Sequence, residues 1–178
     1  MADAVLSLSR IEDIFWNYTL KILGLDTALK ENQKRIRIGY QPEGAPAWKR
    51  NDDVGFILVT TSGDPVTQQT EISYARETEN TALRSASYTR VIQVSWTFYG
   101  PNSFEDADKV RNGLFVNQHL FLPLKLVTSV PPPFRLPELF EGQWWERSSF
   151  TAQFNDLVVR TSSVNYIESA EVQVIPNR

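Results

Sequence analysis

The chain has 178 residues, of which 42% are hydrophobic and 22% charged, with a formal net charge of -3 and no cysteine. These values are ordinary for one soluble globular domain, and we expect residues 1–178 to form a single domain with a core of its own. The lack of cysteine excludes disulfides, thiolate catalysis and cysteine-bound zinc, and the acidic balance argues against tight binding of nucleic acid.

The N-terminal part of the chain predicts one long amphipathic helix over residues 3–23. Its apolar residues recur at steps of three and four and form one stripe: Leu8, Ile11, Phe15, Tyr18 and Ile22. Gly24 follows as a C-terminal stop, because glycine readily adopts the left-handed conformation that ends many helices. We expect the stripe to pack across a sheet, with contact to another subunit as the alternative.

Three strands are predicted in the next part of the chain. Residues 35–40 alternate between apolar and polar side chains, and residues 54–61 are rich in β-branched and aromatic residues. After a turn that contains glycine and proline, residues 66–74 alternate again, so we expect them to pair with the second strand in a hairpin. The polar residues 26–34 and the proline-containing stretch 41–53 are interpreted as connections.

Residues 76–89 differ from their surroundings, because they are mostly threonine, asparagine, serine, glutamate and arginine with few apolar groups. No core face can be drawn through this stretch. We interpret it as a protruding arm, either an extended hairpin or a mobile loop that becomes ordered against a partner. Arg76, Glu79 and Arg84 are its candidate contact residues.

The centre of the chain predicts a strand, a stop and a helix. Residues 90–98 alternate between two faces. Four bulky residues share the face that we expect to be buried: Ile92, Val94, Trp96 and Phe98. A Tyr-Gly-Pro corner ends the strand. Asn102 or Ser103 can then cap a helix through a capping box, and apolar residues at helical spacing extend this helix to Phe115.

The C-terminal third predicts a strand, a rigid strap and two further strands. Residues 119–130 form a strongly apolar strand, in which Pro123 indicates an edge position or a bulge. Three consecutive prolines make residues 131–141 an extended strap that covers either its own sheet or a neighbour. Alternating runs at 149–158 and 164–174 are separated by a polar turn, and we expect them to be antiparallel neighbours.

These elements together predict an α+β fold. We expect a mainly antiparallel, mixed β-sheet with the long N-terminal helix and the one central helix packed on one face. An extended loop or hairpin arm would project from this sheet.

Several classes of function find no support in the sequence. His119 is the only histidine, which excludes sites built from two or three histidines, and phosphate-loop, dinucleotide-binding, serine-hydrolase and zinc-protease motifs do not occur. Glu77 with Glu79 could bind a cation, and a carboxylate pair could lie within residues 138–146. We nevertheless expect no enzyme, no metal and no cofactor. The sequence begins without a signal peptide and has no run of about eighteen apolar residues, so we expect a cytosolic chain without membrane contact.

Features that suit contacts with other proteins are more frequent. Trp144 and Trp145 are adjacent, so on a strand they point to opposite faces, and one is exposed unless the strap or another subunit covers it. Arg147 follows two positions later, and tryptophan and arginine dominate the energetics of many interfaces. Phe134 in the strap is a further candidate. The alternative is that the monomer covers both tryptophans itself.

A set of short motifs within residues 54–174 forms a recognisable pattern. The motifs are a strand that ends in Phe98-Tyr99-Gly100-Pro101, a helix with Ala107, Val110 and Leu114, a proline-rich stretch, Trp145-Glu146-Arg147 at the start of a later strand, and a last strand around residues 167–174. This pattern resembles the neck or tail terminator proteins of tailed bacteriophages.

The resemblance implies a structural virion protein that forms a ring, a hexamer, at the junction of head and tail. Such a ring would cap the tail tube and join it to the connector, with the tail tube protein and neck or connector proteins as its neighbours. Double-stranded DNA would pass through the lumen without specific binding, which agrees with the acidic net charge. Assembly would take place in the host bacterial cytoplasm. A baseplate or tail-tube-associated structural protein and a binding module outside phages are the alternatives.

Overall fold

The computed structural model describes residues 4–39, 47–127 and 129–165. The described elements are α1 (Leu8–Leu23), α2 (Lys30–Arg35), β1 (Ile36–Ile38), β2 (Val54–Thr61), β3 (Thr70–Arg76), β4 (Thr81–Tyr99), α3 (Ser103–Val116), β5 (Lys125–Leu126), β6 (Phe134–Arg135), β7 (Glu138–Phe140), β8 (Gln143–Trp145) and β9 (Arg147–Asn165). Short 3-10 turns lie at Pro65–Gln68 and Gln118–Phe121. The predicted α+β class is confirmed, because α1 and α3 lie on one face of a mixed, mainly antiparallel sheet.

The two longest strands, β4 and β9, form an antiparallel ribbon. They pair along all 19 residues of each strand, from Thr81 opposite Asn165 to Tyr99 opposite Arg147, with one unbroken register. At about 3.4 Å per residue, the ribbon is roughly 60 Å long. Its sequence contains no proline or glycine, either of which would weaken or bend such a pair.

The ribbon has two halves with different neighbours. In one half, which we call the body, β2 flanks β4, and the short strands β5 and β6 flank β9. In the other half, residues 81–89 of β4 pair with β3 on one side and with residues 157–165 of β9 on the other. We call this three-stranded half the blade. All seven residues of β3 are exposed.

The core lies between the body half of the ribbon and the helices. Phe15 of α1 contacts Trp96 edge to face, with ring centroids 5.7 Å apart, and Phe154 with centroids 4.5 Å apart. Trp96 stacks on Phe150 at 4.9 Å and donates a hydrogen bond from its indole to Thr19 Oγ1 at 3.0 Å. The predicted buried face of β4 is confirmed, since each of its four bulky residues is at most 2% exposed: Ile92, Val94, Trp96 and Phe98.

Helices α1 and α3 approach each other closely at Gly113. The Tyr18 hydroxyl, fully buried on α1, donates to the Val110 carbonyl of α3 at 2.7 Å, and this bond holds the phenol in place. A Cβ on Gly113 would lie 2.7 Å from that hydroxyl and 3.0 Å from Ile22 Cδ1. The glycine therefore sets how near the two helices can pack.

The predicted ends of the two long helices are partly right. Helix α1 ends at Gly24, which has a φ of 74°, but it begins at Leu8 because the Ser7 side chain caps it by accepting from Arg10 N. The expected capping box of α3 is wrong. Asn102 occupies the cap position, but its side chain donates to Asp53 at 2.8 Å instead of accepting from the helix.

The predicted hairpin of residues 54–61 with 66–74 is wrong. Strand β2 pairs with residues 92–99 of β4, whereas β3 pairs with residues 82–88. The 3-10 turn Pro65–Gln68, which Asp64 caps by accepting from Val66 N, carries the chain past the end of β2. Strands β2 and β3 therefore lie one after the other along the same edge of β4.

Two predictions in the C-terminal third are also wrong. Residues 119–130 do not form a strand, because a 3-10 turn and a cis Leu122–Pro123 bond precede the two-residue strand β5. Phe121 and Leu124 are instead buried plugs at the end of the core. The polar turn predicted around Thr161–Ser163 lies within β9, which pairs with β4. Residues 166–174 of the last predicted strand lie outside the described part of the chain. The first predicted strand, residues 35–40, corresponds to β1, and its residue 40 also lies outside the described part.

The close approach at Gly113 is tested by substitution. Alanine normally stabilises a helix by about 1 kcal/mol relative to glycine. We expect Gly113→Ala to do the opposite and lower the free energy of unfolding by about 1–3 kcal/mol, because the new methyl group overlaps the immobile Tyr18 hydroxyl. Urea denaturation measures this change.

Gly63→Ala is the matched control, because a Cβ there has no atom within 4 Å. We expect it to leave the free energy of unfolding unchanged or to raise it slightly. A stabilised Gly113→Ala variant would show that the helices can separate without loss.

Candidate assembly surface

The sheet face opposite the helices carries an aromatic cluster in the body. Trp48 lies at its centre, with its ring centroid 5.1 Å from Phe56, 5.7 Å from Tyr99 and 6.3 Å from Trp145. The Arg37 guanidinium lies 5.5 Å from the Trp48 ring centroid, within the range of a cation–π interaction. This cluster attaches strand β8 and the loop before β2 to the same patch of sheet.

Strands β7 and β8 form a small hairpin that packs on the aromatic cluster. The two residues between them, Glu141 and Gly142, have φ values of 49° and 73°, as a tight two-residue hairpin turn requires. Trp145 pairs with Glu138, and its ring packs on Trp48. Alternation along the strand therefore turns the neighbouring Trp144, with its partner Leu139, away from the cluster.

Charged side chains hold the base of this hairpin. Glu138 accepts from Arg147 Nη1 and from the Tyr99 hydroxyl at 3.2 Å, and burial raises the pKa of Tyr99. Arg135 donates to Glu146 at 2.7 Å on the exposed edge. These arginine contacts engage two of the carboxylates that the sequence marks as a possible catalytic pair. Within the described residues, no group of three or more potential ligands is placed to hold a metal ion.

An open cleft lies between the hairpin and the aromatic cluster. Its volume is about 330 Å³. Its lining residues are Ala47, Trp48, Tyr99, Glu138, Phe140 and Trp145. The indole N–H of Trp48 is buried and has no hydrogen-bond partner among the described residues. The cleft therefore offers mainly aromatic surface beside a carboxylate that Arg147 and Tyr99 already engage, which suits contact with another protein better than chemistry.

Beside the cleft, the hairpin and the strap expose a group of large apolar side chains, which we call the hairpin patch. Their exposed fractions are Phe134 55%, Leu136 52%, Leu139 61%, Phe140 59% and Trp144 63%. Single exposed apolar residues are common, but five within eleven residues of chain are typical of a protein contact site.

The candidate residues of the predicted arm lie at the other end of the ribbon. Residues 76–89 take the form of a hairpin: Arg76 ends β3, Glu79 lies in the turn, and Arg84 is exposed on β4. Hydrogen bonds order this turn, including one between the Thr78 and Thr81 hydroxyls at 2.6 Å.

The structure thus sorts the seven predicted interface residues into two groups. Phe134, Trp144, Trp145 and Arg147 lie at the hairpin end, although Trp145 and Arg147 serve mainly to attach the hairpin. Arg76, Glu79 and Arg84 lie in the blade. Fifteen residues of β4 separate Arg84 from Tyr99, which is roughly 50 Å of strand.

Sequence reasoning missed several residues of this surface. Trp48 falls in a stretch interpreted as a plain connection, yet it is the centre of the aromatic cluster. A lone tryptophan in a polar, proline-containing stretch was the available signal, since such a residue needs a partner to bury it. Leu139 and Phe140 were predicted only as apolar residues of the strap at residues 131–141, because their exposure depends on the hairpin turn at Glu141.

The two adjacent tryptophans provide a matched test of this geometry. We expect Trp145→Ala to lower the free energy of unfolding by about 2 kcal/mol, because it removes a ring that packs on Trp48. We expect Trp144→Ala to change it by less than about 0.5 kcal/mol, because that side chain is 63% exposed. Chemical denaturation of both variants measures the difference, and equal losses would contradict the assigned orientations.

Comparison with known proteins places the chain in a family. No curated protein matches it. None of the described helices combines the length and apolar character that a membrane span requires. The family model described as phage neck terminator protein matches residues 9–178, nearly the whole chain, and confirms the resemblance of the motifs. The chain therefore belongs to the phage neck terminator family, a family of structural virion proteins of the head–tail junction.

Proposed function

We propose that the chain forms a closed ring, a hexamer, that caps the tail tube and joins it to the connector. The family supports the location at the head–tail junction. The observation that carries the ring is the presence of two unlike contact regions, the hairpin patch and the blade, at opposite ends of one continuous ribbon.

Unlike regions favour a ring over a two-fold dimer. A two-fold interface uses the same patch on both copies, whereas a head-to-tail interface joins two different patches and gives a ring when the rotation between copies closes. The hairpin patch is mainly apolar, while the blade has polar and charged faces with fewer exposed large apolar side chains. Such dissimilar regions suit head-to-tail contact between copies or contact with two different neighbours.

The hairpin patch is the region that we assign to an adjoining virion protein, the tail tube or the connector. Aromatic side chains anchored in a rigid frame lose little conformational freedom on binding, so they serve well as contact anchors. Trp144 fits this description, because the two-residue turn and the Trp145 contact fix the strand that carries it.

DNA passage through the lumen agrees with the charge of the chain. With a net charge of -3 per copy, the ring as a whole repels phosphates and does not retain DNA by charge. This repulsion would allow rapid exit from the capsid.

Loss of the chain from an assembling phage tests the proposal. In infections by a phage with a stop codon in this gene, we expect filled heads and tails to accumulate separately, as seen by electron microscopy, and a plasmid copy to restore joined particles. Joined, infectious particles in the absence of the chain would refute the role. Absence of tails altogether would favour the alternative of a baseplate or tail-tube-associated protein.

The hairpin patch is tested in the same complementation. We expect the double variant Leu139→Ser, Trp144→Ser to fold but to give at least about tenfold fewer joined particles. The loss of both apolar side chains should weaken binding to the adjoining protein by more than about 1.4 kcal/mol, which corresponds to a factor of ten. Val116→Ser is the control, because Val116 is 80% exposed at the end of α3 and away from the patch. Full complementation by the double variant would remove the patch from the joining surface.

A further inference from the structure

The blade has two faces of opposite charge. The registers of β3 with β4 and of β4 with β9 place every even-numbered side chain of these strands on one face and every odd-numbered one on the other. The even-numbered face carries Arg76, Arg84 and Arg160 and no acidic residue of the three strands. We call it the arginine face.

The three arginines follow one diagonal across the strands. Arg76 of β3 lies opposite Ala82, and Arg160 of β9 lies opposite Ala86. Ala82 and Ala86 are the residues two before and two after Arg84 on β4, on the same face. Diagonal neighbours of this type are about 7–8 Å apart. Tyr74 and Ile72, on the same face, are 64% and 47% exposed, so the arginine face also offers apolar surface.

The odd-numbered face, which we call the glutamate face, has the complementary character. Glu71 lies on it, and Glu77 reaches it by accepting from the Ser163 hydroxyl at 2.6 Å. The three strands place no lysine or arginine on this face. Leu157, 66% exposed, forms with Glu71 and Val66 part of the wall of an open cleft of about 360 Å³.

The helices make a ledge beside the arginine face. They cover the same side of the ribbon from Ile92 onwards, and α1 begins at Leu8 next to Arg90, at the start of the blade. A helix layer is about 10 Å thick, and stacked sheets lie about 10 Å apart. A second sheet packed on the arginine face would therefore lie at the same height above the ribbon as the helices, and it would contact the exposed Leu8.

We propose that the blades of neighbouring copies stack, with the arginine face of one copy covering the glutamate face of the next. This inference rests on the proposed ring and names its subunit contact. Opposite charges meet at every junction, and the two faces differ, so the contact is head-to-tail, the type of contact that the proposed ring requires.

The size of the blade explains how such a contact depends on assembly. Three strands and seven residues of β3 give a face of roughly 14 by 24 Å, which is smaller than the roughly 800 Å² per partner of a stable complex. Stacked blades therefore bind weakly when two free copies meet. In a ring held on a tail, all the blade contacts form together and stabilise one another.

A protein partner fits the arginine face better than DNA. The chain as a whole has a net charge of -3, which disfavours DNA, and the glutamate face on the reverse of the blade carries Glu71 and Glu77, opposite in sign to the arginines. Exposed tyrosine beside arginine is typical of protein interfaces.

Charge exchange in the phage complementation tests the stacking. We expect Arg84→Glu and Glu71→Arg, each alone, to reduce joined particles at least about tenfold, because like charges then meet at every junction. We expect both changes in one chain to restore joining, since every junction again pairs opposite charges. Arg50→Glu, an identical charge reversal on an exposed loop residue of the body, is the control and should complement fully.

Co-expression of the two single variants adds a readout that depends on ring order. Copies that alternate around an even-numbered ring have opposite charges at each junction, so the mixture should restore joining although neither variant does so alone. Circular dichroism and thermal unfolding of each variant verify that the fold is retained.

The outcomes separate the stacking from the ring role. Single variants that complement like wild type, or a folded double variant that fails to complement, would overturn the stacking and leave the joining role intact. Loss of binding to a short DNA duplex in Arg84→Glu, without any defect in Glu71→Arg, would assign the arginine face to DNA instead. Normal particles without the chain would overturn both.

Discussion

The unbroken pairing of β4 with β9 is the constraint on which the rest of the structure depends. Because the register holds from Tyr99 to Thr81, a side chain buried under α1 and one exposed on the blade have fixed relative positions. One half of the ribbon gains its stability from the helices, and the other half extends beyond them on the strength of that pairing. A one-residue bulge in β4 or β9 would move the side chains of that strand to the opposite face beyond it.

The boundary between the two halves is marked by a charged pair where the core ends. Asp156, 3% exposed, accepts from Arg90 at 2.5 Å, and Arg90 also donates to the Leu6 carbonyl at 2.9 Å. These residues are opposite each other on β4 and β9. The pair satisfies buried polar groups, and through the Leu6 carbonyl it ties the N-terminal segment to the ribbon.

The proposed function rests on the side chains that the body leaves exposed. The aromatic cluster around Trp48 attaches the β7–β8 hairpin so that Trp144 and Leu139 are exposed in a fixed orientation. The blade carries charged side chains on both faces. The hairpin patch is exposed apolar surface, which promotes association and suits a protein that contacts other virion proteins.

The sequence by itself determined the fold class, the buried face of β4, the strand at residues 54–61 and the family. These depend on periodicity and short motifs within one element, which act locally. Only the tertiary structure decided that β3 pairs with β4 and not β2, that residues 119–130 plug the core, and that Trp48 joins Trp145. The physical reason is that each of these outcomes depends on which distant segment occupies the neighbouring space. Alternation along a strand shows which side chains share a face, but the packing of the whole chain decides which segment covers that face.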